Sequence, residues 1–144
     1  MIRVRNILYP TDFSTYSNQA YFHAVALAEH HGASLTILYV CTPGQGGSET
    51  GCAGENRNYW QRQLEQIRPV NPAITVHHVL LEGEPAAEIV SYARASSVDL
   101  IVMGTHGRSG LERLLMGSVA EKVLREAPCS TLVVKLPRAM TVAE

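Results

Sequence analysis

Apolar positions along this chain follow two rhythms, short continuous runs and recurrences every three or four residues, and the two alternate from end to end. Val4 to Tyr9 is a short, mostly apolar run that stops at Pro10-Thr11-Asp12. From Thr15 to His31, Tyr21, Ala24, Val25 and Ala28 recur at helical spacing, and Gly32 follows as a C-terminal stop. Ser34 to Val40 (SLTILYV) is a second strand, after which CTPGQGGSETGCAG is too rich in glycine for regular structure and reads as a loop. A helix from about Glu55 to Ile67 would place Trp60, Leu64 and Ile67 on one face. Ile74 to Leu81 is a third strand, and Gly83-Glu84-Pro85 makes the turn into a third helix, with Pro85 in its first turn and Ile89, Val90 and Ala93 buried. Val98 to Met103 is a fourth strand. A fourth helix opens at Ser118 with Val119, Val123 and Leu124 on its apolar face, Pro128 ends it, and Ser130 to Lys135 is a fifth strand. Pro137 to Glu144 form a tail without an evident partner.

Five strands alternating with four helices favour a parallel sheet covered on both faces. The strands are mostly continuous Val/Ile/Leu runs, as doubly covered strands should be. The expected fold is therefore α/β, a doubly wound five-stranded parallel sheet of order 3-2-1-4-5 in one domain spanning residues 1–144. In that order strands one and four are neighbours whose connections leave toward opposite faces, and ligands of such sheets bind in the crevice between them. Its rim would be Pro10-Thr11-Asp12 on one side and Gly104 to Gly107 on the other.

The candidate chemistry gathers at the same place. In VDLIVMGTHGRSGLERLLMGSV, Gly104, Gly107 and Gly110 follow the fourth strand, where glycine permits positive φ and a close backbone approach to a ligand. Gly117-Ser118 then stands where a helix N-terminus presents unpaired amides and partial positive charge. These are two halves of a phosphate cradle. The P-loop motif is absent, since no lysine lies between Gly104 and Ser118, and G-x-G-x-x-G is absent as well. What stands is G-x2-G-x9-G-S, formed by Gly104, Gly107, Gly117 and Ser118. Ser118 has a second reading, because Ser118-Val-Ala-Glu121 has the spacing of a capping box. Asp12 likewise reads either as a cap for the first helix, in competition with Ser14 and Ser17, or as a ligand for a hydroxyl or metal.

Charge and cysteines narrow the field. Twelve basic against thirteen acidic residues give a net charge of −1 with no basic stripe, which excludes a phosphate-neutralising nucleic-acid surface. MIRVRNILYP lacks the apolar run of a signal peptide, and no stretch approaches eighteen apolar residues, so a soluble cytoplasmic protein with no membrane partner is expected. Cys41, Cys52 and Cys129 show no metal-type spacing with the six histidines and are read as structural or incidental thiols, Cys52 being the one in the glycine-rich loop. His77 and His78, adjacent on a strand, must face opposite sides and cannot share a metal. Trp60 and the helix histidines read as packing and solvated groups.

With these residues assembled, RNILYPTDFS, VDLIVMGTHGRSG and LLMGSVAEKVLREAPCSTLVV, in that order, resemble the universal stress protein family, in its ATP-binding branch. The resemblance implies a Rossmann-like, adenine-nucleotide-binding fold. It would put Pro10 and Asp12 near ribose and adenine and Val40 beside the base, while Met103, Gly104, His106, Gly107, Gly117, Ser118 and Val119 line the phosphate and ribose side. Thr11 stands where many relatives carry Val. The implied cofactors are ATP and Mg²⁺, the metal arriving with the nucleotide beside Asp12. The resemblance also implies a homodimer through the last strand, whose open edge needs covering.

The expected function is a nucleotide-gated stress-response regulator. Without a Walker lysine, phosphate would be held by backbone amides, Ser118, Arg108 and a helix end, enough for affinity and at most slow hydrolysis. Two alternatives stand beside it. An adenine nucleotide alpha-hydrolase would need an S-G-G-x-D-S-type loop where this chain has Pro10-Thr11-Asp12-Phe13-Ser14, and an interaction dimer with an empty crevice would use the glycines only to turn.

Overall fold

The computed structural model describes residues 3–43, 52, 54–105 and 117–135. Its elements run β1 (Asn6–Pro10), α1 (Thr15–His31), β2 (Ser34–Cys41), α2 (Gly54–Glu65), β3 (Val76–Glu82), α3 (Pro85–Ala95), β4 (Leu100–Gly104), α4 (Ser118–Glu126) and β5 (Ser130–Val134). The sheet order is β3-β2-β1-β4-β5 with every pairing parallel, as the alternation of elements implied.

Each strand feeds two cores because successive side chains point to opposite faces. Ile7 and Tyr9 of β1, with Leu35 and Ile37 of β2, pack toward α1 and α2. Leu8, Leu38 and Ile101 pack the other way, against Ile89 and Val90 of α3 and Val123 of α4. Burial on both sides is why the strands lack an apolar/polar alternation. Helix α1 lies against the sheet through Ala20, Ala24 and Ala28, each at most 1% exposed. Such a stripe of small side chains lets the helix axis come close. The helix is capped by Ser14, whose hydroxyl accepts from Ser17 N–H, and it ends at Gly32, whose φ of 64° is left-handed and whose N–H donates to the Ala28 carbonyl.

Three element starts fall later than the apolar runs suggest, for local reasons. β1 begins at Asn6 instead of Val4, pinned there by the Asp99 carboxylate, which accepts from the N–H groups of Arg5 and Asn6 at 2.8 and 3.0 Å. β3 begins at Val76 instead of Ile74, whose N–H donates back to Asn71 in a turn. β4 begins at Leu100 instead of Val98, because Val98 N–H closes the end of α3 on the Ala93 carbonyl and Ser97 takes a φ of 53°. Leu124, expected on the buried face of α4, is 47% exposed; Ala120 and Val123 hold that face instead.

The reading of all three cysteines as thiols is corrected. Cys41 at the end of β2 and Cys52 just before α2 form a disulfide, with Cα atoms 5.8 Å apart, and Cys52 is buried. The spacing could not show this, because only the folded chain returns residue 52 to the end of β2. On the chain-entropy model, closing a loop of this length contributes about 3 kcal/mol. Cys129 is free and half-buried; burial, then the charge of Asp99, pushes its thiol pKa up from the ordinary value. Among the described residues no helix is long and apolar enough to cross a membrane.

Ala24→Leu tests the close approach of α1. Overpacking at a fully buried position should cost about 1–3 kcal/mol, read as a lower midpoint in urea unfolding with an unchanged slope.

Candidate functional site

A split in the sheet makes the site. β1 pairs with β2 along its whole length, out to Pro10 opposite Leu38, but with β4 only at Ile7–Leu100 and Leu8–Ile101. Backbone donors on β1 alternate between its neighbours. Thr11 N–H donates to Leu38 of β2, while Asn6 accepts from Asp99 at the start of β4, so Pro10 is a position whose N–H would face β4. Proline has none. The two central strands therefore part at their C-terminal ends without stranding a donor at Pro10, and a cavity of about 280 Å³ opens there.

Pro10, Thr11 and Asp12 line the cavity from the end of β1 and the residues just after it, and Met103, Gly104 and Thr105 from the end of β4 and the residue after it. Val40 adds an apolar wall with Leu38 and Tyr39, facing Pro85 and Ile89 of α3. Gly117, Ser118, Val119 and Ala120 close it with the start of α4. Of the residues singled out in the sequence, the structure thus brings together Pro10, Thr11, Asp12, Val40, Met103, Gly104, Gly117, Ser118 and Val119. His106, Gly107 and Arg108 lie outside the described residues, as does the tail from 137 to 144. Thr105 lies in the expected rim segment, whereas Leu38, Tyr39, Pro85, Ile89 and Ser17 also line the cavity and were not anticipated there. Ser17 comes from the first turn of α1, and Pro85 and Ile89 from a helix distant in the chain; only the topology turns them inward.

The β1 end is held by a buried hydrogen-bond network. Tyr9 hydroxyl donates to the Ser17 carbonyl at 2.8 Å, and the Thr11 and Ser17 hydroxyls share a bond of 3.1 Å. Burial pushes the Tyr9 phenol pKa up from its ordinary value, against the lowering effect of its bonds with Ser17 and Thr11, so the phenol remains a donor at neutral pH. Thr11 Oγ1 accepts from Phe13 N–H at 3.0 Å, and Asp12 Oδ1 accepts from Ser14 N–H at 2.9 Å. Asp12 therefore shapes the turn before α1 while Ser14 caps the helix, so of the two readings left open by the sequence the cap belongs to Ser14.

The capping-box reading of Ser118 is also corrected. The N-cap of α4 is Gly117, with no side-chain cap, and Ser118 is the first helical residue. Gly117 N–H donates to the Thr105 carbonyl, tying the start of α4 to the end of β4. Positive φ is not what Gly104 and Gly117 supply, since the positive-φ glycines among the described residues are Gly32 and Gly83. The close backbone approach is the remaining use. The start of α3 differs from that of α4, because Glu84 caps it by accepting from Ala87 N–H at 2.6 Å. Glu84 also sits 3.7 Å from the Lys122 ammonium of α4, a pair too exposed to add much stability. The N-terminal amides of α4 and their partial positive charge thus face a cavity to which Asp12 brings a carboxylate across an apolar wall. Among the described residues no three His, Cys, Asp or Glu side chains converge on a metal position.

A doubly wound parallel sheet with a cavity at its topological switch point is the Rossmann-like class of fold, in which that crevice is the usual ligand site. The chain belongs to the universal stress protein family, whose model matches residues 3–135. It is 38% identical to a universal stress protein of Methanocaldococcus jannaschii, over 93% of this chain and 84% of that one. Its fold matches the universal stress protein UspA from Lactobacillus plantarum with a TM-score of 0.76 and 27% identity, covering 92% of this chain and 98% of the other. It also matches a universal stress protein solved in complex with cAMP, with a TM-score of 0.69, covering 90% and 96%, where 24% identity makes the likeness one of fold.

Two serine variants separate the helix starts. Ser14→Ala should cost about 0.5–2 kcal/mol through loss of the α1 cap. Ser118→Ala should stay within about 0.5 kcal/mol of the parent, since this residue caps nothing. Equilibrium urea unfolding of both variants without nucleotide checks the contrast.

Proposed function

We propose that this chain is a nucleotide-gated regulator working in the cytoplasm as a homodimer, with ATP and Mg²⁺ as its ligand. The observation that carries the reading is the pairing, in one cavity, of an apolar slot with an α4 N-terminus that lacks a side-chain cap. Val40, Ile89 and Met103 suit a flat base, Pro10 and Asp12 a ribose, and Gly104, Gly117, Ser118 and Val119 an anion. A base fits the apolar wall, and phosphates fit oriented amides that no carboxylate already occupies. His106, Gly107 and Arg108 would complete the phosphate side. Mg²⁺ would be held mainly by the phosphates and water, with Asp12 the carboxylate at hand.

Hydrolysis is at most slow. Phosphoryl transfer depends on charge stabilisation at the γ-phosphate and a positioned water, and the described lining offers neither lysine nor histidine for that work. β5 is an edge strand with Leu132 partly exposed, and a second copy of the chain is the natural cover for that edge, along Ser130 to Lys135.

Calorimetric titration of nucleotide-free protein should give micromolar or tighter binding of ATP with Mg²⁺ and weak binding of GTP. Gly104→Val and Gly117→Val should abolish it with the fold retained, and Ser118→Ala should weaken it without loss of stability. Unchanged affinity in both valine variants would sink the cradle and leave an interaction dimer as the better reading. Leu132→Glu should shift the mass measured by light scattering from dimer to monomer; a monomeric parent overturns the assembly.

A further inference from the structure

The nucleotide reading makes no use of the covalent tie beside the cavity. Cys41 ends β2, Cys52 stands two residues before α2, and the bond between them is buried, at 1% and 5% exposure. The tie reaches the cavity by two routes. On the strand side, Val40 next to Cys41 lines the cavity, and the Cys41 carbonyl accepts from Gly83 N–H at 3.0 Å, two residues before the wall residue Pro85. On the helix side, α2 carries Trp60, which stacks on Phe13 at 5.4 Å with planes 19° apart and meets Tyr39 at 5.1 Å. Tyr39 lines the cavity, and Phe13 directly follows Asp12.

Phe13 has a φ of 64°, a conformation that a bulky residue holds only where its surroundings enforce it. Its backbone is bracketed by the bonds of Phe13 N–H to Thr11 Oγ1 and of Ser14 N–H to Asp12 Oδ1, and its ring packs on those of Trp60 and Tyr39. Helix α2, GENRNYWQRQLE, is otherwise polar, docking through Trp60 and Leu64. With so little apolar surface, the helix is held by these two side chains and by the covalent tie beside its start.

The geometry points to Cys41 and Cys52 as a redox-responsive thiol pair that exchanges with a low-molecular-weight disulfide, clamps α2, and thereby sets adenine-nucleotide affinity. This rests on the nucleotide reading above. The chemistry balances. One protein thiolate attacks the small disulfide, forming a mixed disulfide and releasing a small thiol, and the second protein thiolate displaces the other small thiol. The protein dithiol loses two electrons, the small disulfide gains them, and the two thiol protons end on the two released thiols. Disulfides in a reducing compartment are usually transient and redox-sensing, which reconciles this bond with a cytoplasmic setting.

The test uses the full chain in a Cys129→Ser background, oxidised with glutathione disulfide or reduced with a phosphine, its state verified by alkylation and intact mass. ATP should bind about tenfold more weakly to the reduced form. Cys52→Ser should match the reduced affinity whatever the redox buffer. Trp60, the chain's single tryptophan, should shift its emission to the red on reduction without nucleotide. Equal ATP affinities in verified oxidised and reduced protein overturn the coupling, and an unchanged Trp60 emission overturns the clamp. Failure of both forms to bind ATP overturns the nucleotide reading and the coupling with it, while Trp60 emission still decides the clamp.

Discussion

The ladder between β1 and β4 stops two residues short of Pro10, and the rest of the site depends on that stop. A sheet buried on both faces has no tolerance for unpaired backbone groups in its centre. Parting two central strands is admissible here because β1 is followed by α1 on one face and β4 by α4 on the other, and Pro10 brings no donor to the gap. The ends of β1 and β4 then become walls. Everything that lines the cavity is placed by this separation, including residues of α3 and α4 that lie far from β1 in the chain.

Around the opening the backbone carries much of the polar chemistry. The two helices on this face begin differently: α3 satisfies its first turn with the Glu84 carboxylate, whereas α4 starts at Gly117, which has no side chain to offer. A helix start of the first kind repels anions and one of the second kind receives them. The contrast costs the protein little, because the Gly117 bond to Thr105 already fixes where α4 begins. Family membership agrees with this arrangement but does not supply it; the strand pairing and the caps do.

On the opposite face of the sheet the logic is different. α1 comes close through alanines and is well capped, so it needs no further anchor. α2 is largely polar, and its place is held by Leu64, by an aromatic cluster of Phe13, Tyr39, Tyr59 and Trp60, and by the disulfide to the end of β2. Phe13 links the two sides, since its backbone belongs to the turn beside Asp12 and its ring belongs to the α2 cluster. The turn at the cavity rim is thereby in direct contact with α2.

The chain by itself determined the element order, the parallel sheet and the switch point, because mostly continuous Val/Ile/Leu runs, alanine at helical spacing, the stop at Gly32 and the start at Pro85 are local signals that each report a local state. It also brought Pro10, Asp12, Gly104 and Gly117 forward as one group, through glycine spacing and topology, and the family resemblance added Met103 to them. Tertiary structure alone decided what depends on distance through space. It chose Gly117 over Ser118 as the cap and gave Asp12 to the turn instead of the helix. It turned Ser17, Pro85 and Ile89 into the cavity and left Leu124 outside the core. It joined Cys41 to Cys52 across eleven positions of sequence. Hydrogen-bond partners, caps and sulfur pairings are settled by which groups meet when the layers close, and a one-dimensional pattern carries the propensity of each group without its neighbours.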